Sequence, residues 1–355
     1  MQKQTPAELG FAMPAEWEPH EATWLGWPHC RSDWPGKLGA IEWVYGEIVR
    51  KIAEGEKVRV IVDRSREARA RRTLTRAHAN LANVEFFHCA SDRGWSRDFG
   101  PICVRKPGPR SEVAIVKFRF TAWAKYPNWR KDDRIAPLIA KRRRMPMFPV
   151  LRKGVMVALE GGGIEVNGCG TLITTEECYL DPKTQCRNPG MGREAYERVF
   201  AEYLGAPNVI WLGQGIVGDD THGHVDDVCR FVNRDTLVLS QEENQQDVNY
   251  RPLRDNWERL RDVRLEDGSK PDVIALPVPA PLWYGPWRLP ASYANFYMAN
   301  SAVLVPTFND PADRVALGIL GELIRDRPVV GIHAVDLVLG FGTLHCLTQQ
   351  QPTRS

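Results

Sequence analysis

The residues best suited to chemistry stand far apart in this chain of 355 residues: Cys346 near one end, His224 and Asp226 in the middle, and Asp98 and Glu160 ahead of them. Cys346 follows Gly340-Phe341-Gly342, and glycines let the backbone turn tightly and other groups approach closely. A thiol presented there can meet a ligand. An isolated cysteine is more often a small buried hydrophobe, so a catalytic reading needs partners. His345 is a poor one, because neighbours in an extended strand point to opposite faces. His224-Val-Asp226 has i, i+2 spacing, which in an extended segment turns both side chains the same way. A thiol, an imidazole and a carboxylate supply a nucleophile, an acid/base and an anchor for a cation. Asp98 adds a second carboxylate, and a planar guanidinium is best gripped by carboxylates in paired hydrogen bonds.

Each motif also has a plainer reading. In Trp95-Ser-Arg-Asp98-Phe-Gly-Pro101 the aspartate reads equally as part of a strand-end site or as satisfying its own turn. Glu160 precedes three glycines, which suits ligand contact and suits a glycine-rich turn as well. His222-Gly-His224-Val-Asp226 is similar to the His-x-His-x-Asp runs of metal-dependent hydrolases. The remaining histidines (20, 29, 78, 88, 333 and 345) form no second cluster, so the metal reading stands behind the thiol reading. The eight cysteines are scattered without a C-x-x-C pair, which predicts reduced thiols in a cytoplasmic protein and no structural zinc.

Helical and strand patterns alternate through the first hundred residues, which predicts an α/β fold. A short strand is expected at 22–27, among four tryptophans at 17, 24, 27 and 34. Helices are expected over 39–54 and 66–81, and strands at 58–62, 83–87 and 102–104. Residues 125–149 read as a long loop. An Asn-Gly pair predicts a hairpin joining 164–166 to 171–174. Further strands are expected at 208–212, 228–232, 236–239, 273–276, 301–305 and 329–332, with helices over 193–204, 242–264 and 311–326. The polar motifs recur after strands or hairpins, with no linker and no strict repeat. One domain over residues 1–355, made of several β-rich units around a central site, is expected. Hydrophobic content of 43%, charged content of 26% and net charge +3 suit a soluble globular protein. The basic runs at 69–72 and 141–144 read as solvated faces, so nucleic acid is not an expected partner. No stretch has the length of a membrane span, and the N-terminus lacks the apolar core of a signal peptide.

Trp95-Ser-Arg-Asp98-Phe-Gly-Pro101, Glu160-Gly-Gly, Gly218-Asp-Asp-Thr with Gly223-His-Val-Asp226, Ala294-Asn-Phe-Tyr297 and His345-Cys-Leu-Thr-Gln-Gln350 follow in this order. Together, from the Met13–Trp17 segment to Pro352, they resemble the agmatine deiminase and bacterial-type peptidylarginine deiminase family. The resemblance implies a five-bladed α/β-propeller (pentein) of ββαβ units with pseudo-fivefold symmetry, and a hydrolase without metal or cofactor. It implies Cys346 as nucleophile, His224 as general acid/base, and Asp98 and Asp226 as holders of a guanidinium. Glu160 and Trp95 join them as substrate contacts. Asp219 and Asp220 would meet the ammonium tail of agmatine, the first substrate expected, giving N-carbamoylputrescine and ammonia through a covalent thiouronium. Free or peptidyl arginine is the alternative, and an amidinotransferase would use similar residues. A nearby histidine and a bound cation are expected to lower the thiol pKa. The sequence departs from the family at Phe341 and Thr343, within the glycine-rich run, and at His222. The partner implied is a small cationic guanidino compound, and a homodimer is compatible with the sequence.

Overall fold

The structure, a computed structural model, describes residues 4–108 and 111–354; the first three residues of the N-terminal segment lie outside it. Five sheets repeat one connectivity. In each, a first strand pairs antiparallel with a second, which pairs parallel with a third across a helix. Parallel neighbours need such a crossover. The second sheet uses Ile102–Lys106, Glu112–Lys117 and Met147–Pro149 with helix Ile135–Arg143. The third uses Glu165–Val166, Thr171–Thr175 and Asn208–Leu212. The fourth uses Cys229–Phe231, Thr236–Gln241 and Asp272–Pro277 with helix Tyr250–Leu260. The fifth uses Tyr297–Met298, Val303–Thr307 and Val329–His333 with helix Ala312–Leu323.

The first sheet is built from both ends of the chain. His20–Gly26 pairs antiparallel with Thr348–Pro352 and parallel with Lys57–Val62, which in turn pairs with Val84–His88. Thr23 stands opposite Gln350 and Trp24 opposite Gln349. The interior strand Lys57–Val62 carries Val58, Val60, Ile61 and Val62, all buried, the near-continuous apolar run of a strand covered on both faces. Cys346 lies just ahead of the closing strand, so this pairing fixes where the thiol stands.

Several expectations need correction. Residues 125–149 contain a helix, Ile135–Arg143, and the strand Met147–Pro149. Ile135, Ala136, Ile139 and Ala140 form its buried side, while the arginines that masked the pattern face outward. The helix expected over 242–264 is limited to Tyr250–Leu260. The strands Glu112–Lys117 and Thr348–Pro352 were not anticipated; the latter is polar by sequence but wholly buried. Among the described residues, no helix is long and apolar enough to cross a membrane.

A buried ionic node ties the N-terminal segment to three sheets. Glu16 accepts hydrogen bonds from Arg97 Nη2 at 2.8 Å, Arg230 Nη2 at 2.9 Å and the Met298 N–H at 2.9 Å, and pairs with His345 Nε2 at 2.8 Å. Arg97 also reaches the carbonyl of His345 and the Gln350 side chain, and Arg230 reaches Glu165 and the carbonyls of Ala294 and Phe296. Removing one member of such a cluster leaves buried charge uncompensated. Glu16→Ala should cost about 3–5 kcal/mol, read as a lowered denaturation midpoint. A midpoint equal to that of the parent protein would contradict this role.

Candidate active site

The four side chains assigned to chemistry arrive on short turns at strand starts. Asp98 sits in the single helical turn Ser96–Phe99, where its Oδ1 accepts the Gly162 N–H at 3.0 Å and its Oδ2 accepts Trp123 Nε1 at 2.8 Å. His224 precedes, and Asp226 lies within, a 3-10 turn, Val225–Asp227, rather than both lying in an extended segment as expected. The imidazole still meets both carboxylates: His224 Nδ1 is 3.9 Å from Asp98 Oδ1 and 4.0 Å from Asp226 Oδ1. Cys346 occupies the turn of helix Leu344–Leu347, and its thiol donates to Asp226 Oδ2 at 3.7 Å. Gly162 is required between them. A Cβ there would stand 2.6 Å from His224 Nδ1 and 3.0 Å from carboxylate oxygens of both Asp98 and Asp226.

Asn295, from the Ala294-Asn-Phe-Tyr297 motif, organises the cysteine turn. Its Oδ1 accepts Thr343 Oγ1 at 2.7 Å and the N–H groups of His345 and Cys346 at 3.1 and 3.4 Å, while its Nδ2 donates to Cys346 Sγ at 3.2 Å. His345 meets the same oxygen of Asp226, Oδ2, at 2.7 Å and bridges it to Glu16. It orients a carboxylate instead of serving the thiol.

Charge is concentrated here in a dry environment. Burial, joined by the charges of Asp226 and Glu160, pushes Asp98 up to about 6. Burial would raise Asp226 too, but the His345 hydrogen bond and charge outweigh it and hold that carboxyl below its usual value. Burial pulls His224 down, yet Asp98, Cys178 and Glu160 together hold it well above an ordinary imidazole, so the ring is protonated. Burial and then Asp226, Asp227 and Asp98 drive the Cys346 thiol well above its usual range. The expectation of a lowered thiol pKa therefore does not hold for the ligand-free site, because its carboxylates oppose a further negative charge. Both ring nitrogens of His224 and Asp226 Oδ1 are buried without a hydrogen-bond partner. Such atoms are costly unless something satisfies them.

A cavity of about 120 Å³ leads to Cys346 and Asp98 between Trp95, Trp123 and Phe341, with Asp220 and Tyr126 also on its wall. Four larger clefts elsewhere, of about 480, 510, 390 and 330 Å³, have among their described lining residues one buried carboxylate, Glu42, which is paired with Arg69. Trp95 is on the wall of the cavity that leads to Cys346, anchored through Nε1 to Asp33 at 3.1 Å. Two other assigned residues have different partners. Glu160 lies behind the imidazole, 3.5 Å from His224 Nε2, and is gripped by buried Arg187 at 3.1 Å. Asp219 accepts Thr221 Oγ1 and the N–H groups of Thr221, Gly223 and His224, shaping the loop from within. His222 turns toward Asp181 at 3.0 Å and Glu177 at 3.6 Å, so His222, His224 and Asp226 do not converge on one point as a metal site needs. Among the described residues one trio, Glu160, Cys178 and His224, brings three ligand atoms within 4.8 Å of one another, but the Arg187 cation already holds the glutamate. Trp123 and Asn295 are further residues of the site that residue type and spacing do not single out, although Asn295 belongs to the Ala294-Asn-Phe-Tyr297 motif.

The raised thiol has a direct consequence. In the ligand-free protein iodoacetamide should modify the Cys346 peptide slowly at neutral pH, at a rate still climbing above about pH 9, where an ordinary thiol has largely ionised. A rate that levels off below that pH would contradict the charge balance described.

Comparison with known proteins gives this arrangement relatives. The profile of the Porphyromonas-type peptidyl-arginine deiminases matches residues 12–352. An agmatine deiminase of Pseudomonas aeruginosa (strain LESB58) is 34% identical over 371 residues, covering 98% of this chain and 97% of the relative. One from Ectopseudomonas mendocina is likewise 34% identical over 98% of this chain and 97% of its own length. Among solved structures, the agmatine deiminase of Enterococcus faecalis matches with a TM-score of 0.89 at 29% identity, covering 100% of this chain and 99% of that one. A cysteine-to-serine variant of the C. jejuni agmatine deiminase with substrate bound matches with a TM-score of 0.83 at 28% identity, over 97% and 96% of the two chains. A family profile matching residues 12–352, together with relatives 34% identical over nearly the whole chain, places this chain in the Porphyromonas-type peptidyl-arginine deiminase family.

Proposed function

We propose that the protein is an agmatine deiminase, hydrolysing a C–N bond of the guanidinium to give N-carbamoylputrescine and ammonia. The observation that carries the reading is the convergence of Asp98 and Asp226 beside a buried thiol and imidazole. Two carboxylates with acceptor sites to spare suit a planar cation with several N–H groups. The full-length similarity to agmatine deiminases supports the same substrate class. The five like-connected sheets are read as the blades of a propeller forming one domain, with the site at its centre.

The reaction follows from the charges. The guanidinium enters between Trp95 and Trp123 and pairs with Asp98 and Asp226. Its positive charge offsets the carboxylates that had kept Cys346 protonated, and the thiol proton leaves to solvent. The thiolate adds to the guanidinium carbon, forming a C–S bond. His224, protonated beforehand, gives its proton to one amino group, the C–N bond breaks, and ammonia departs. An S-alkylthiouronium remains on Cys346. Neutral His224 then takes a proton from water, the hydroxide adds to the same carbon, the C–S bond breaks to release the thiolate, and the added hydroxyl gives its proton to solvent as the ureido product forms. Glu160, held by Arg187, steadies the imidazole in both steps.

Agmatine turnover should survive chelator and fall to background in Cys346→Ala, measured as ammonia and ureido product. Activity lost to chelator and indifferent to Cys346 would contradict the thiol mechanism. Asp98 must be ionised to hold the cation. kcat/KM should therefore fall as pH drops through about 6, the value at which the buried carboxyl takes up its proton. A profile still flat well below that pH would remove Asp98 from the binding role.

A further inference from the structure

Asp220 lies on the wall of the cavity that leads to Cys346, yet its charge is already engaged. Lys125 Nζ pairs with Oδ1, and the Tyr126 hydroxyl donates to Oδ2 at 2.6 Å. We infer that Lys125 sets the selectivity of the site for the far end of the substrate, by competing with a substrate ammonium for Asp220. The inference rests on the deiminase reading given above.

Lys125 is not there by chance of rotamer alone. The three residues before it, Ala122, Trp123 and Ala124, all have left-handed backbones with φ of +46°, +60° and +53°. Each such residue is unfavourable for an L-amino acid and persists only where its surroundings enforce it. Here the enforcement is visible. Trp123 Nε1 is tied to Asp98, and the Gln185 amide donates at 3.1 Å to the carbonyls of both Trp123 and Asp220. The strained turn that brings Trp123 to the guanidinium carboxylate therefore also delivers Lys125 to Asp220. Buried Lys–Asp pairs hold tightly, but this one is solvated, with side-chain exposures of 39% and 19%. It can open.

The other acid described at the mouth, Asp33, is engaged as well. Arg93 is paired with Asp33 and lies over the Tyr126 ring at 4.2 Å. Asp33 and Asp220 are thus matched by Arg93 and Lys125. The ammonium of agmatine gains a carboxylate only by displacing Lys125, and while Lys125 stays it meets a like charge. An alkylguanidine without the terminal ammonium meets no such barrier. Lys125 therefore lowers the advantage of a doubly charged substrate over a singly charged one.

The test compares agmatine with n-butylguanidine, the same chain without its amine, on the parent protein and on Lys125→Met and Lys125→Arg. In Lys125→Met the ratio of kcat/KM for agmatine to that for butylguanidine should rise about three- to tenfold, the scale of a solvated ion pair. The gain should come through KM for agmatine, with kcat nearly constant, and Lys125→Arg should keep the parent ratio. A ratio unchanged or lowered in Lys125→Met overturns the inference and leaves Lys125 as a tie between two loops. An equal loss on both substrates does the same. Failure of the parent protein to bind or turn over either guanidine overturns the deiminase reading itself, and the inference falls with it.

Discussion

The arrangement depends on a surplus of negative charge held in a dry pocket around one thiol. Asp98 and Asp226 face the imidazole of His224 at about its contact distance, Asp227 is buried alongside, and Glu160 closes the far side. Charges a few ångströms apart interact far more strongly in such surroundings than in water. His345 attends Asp226 and Arg187 attends Glu160, but Asp98 has only uncharged donors, from Gly162 and Trp123, within hydrogen-bonding distance. The cation beside Asp98, the His224 imidazolium at 3.9 Å, is shared with Asp226, which leaves the pocket suited to a second cation. The thiol registers this deficit, since it stays protonated until positive charge arrives. Nucleophile activation and substrate recognition become one event.

Bringing those groups together makes demands on the fold. Asp98, Glu160, His224 and Cys346 come from segments spread over some two thirds of the chain, each at a turn beside a sheet of the same connectivity. The thiol is placed only when the last strand pairs with His20–Gly26, so both chain ends must be in register before the site exists. The Glu16 node then links this first sheet to the segments bearing Asp98, Asp226 and the Asn295 turn through Arg97, Arg230 and His345. Buried ion clusters add little net stability, but they penalise misplacement heavily. That suits a site whose distances must be held.

Much of this was legible in the residues. Cys346, His224, Asp98 and Asp226 announce themselves by type and motif, and the structure brings all four to one place. Glu160 and Asp219 carry equally suggestive motifs, yet one is held by Arg187 and the other by backbone N–H groups. Carboxylates next to glycines look alike whether they bind a ligand or the protein itself, because the deciding donor is Arg187, 27 residues on, for Glu160 and the N–H groups of its own loop for Asp219. Helix Ile135–Arg143 was hidden by arginines that cover an otherwise ordinary apolar side. The strand Thr348–Pro352 was hidden because its threonine and glutamines are buried by partners rather than by hydrophobicity. Trp123 left no signal, since its role rests on a left-handed turn that sequence patterns disfavour. The thiol pKa was beyond reach for the same reason as Glu160. It depends on how many charges surround the sulphur, and only three dimensions show that.

The most direct test of the central claim follows the thiolate of Cys346 by its far-ultraviolet absorbance, with Cys346→Ser as the blank. The ligand-free protein at neutral pH should show no thiolate. Rapid mixing with agmatine should produce a transient rise before ammonia appears, because the arriving guanidinium ionises the sulphur. A thiolate already present in the ligand-free protein, or turnover with no such rise, would show that the sulphur is activated without the substrate's charge.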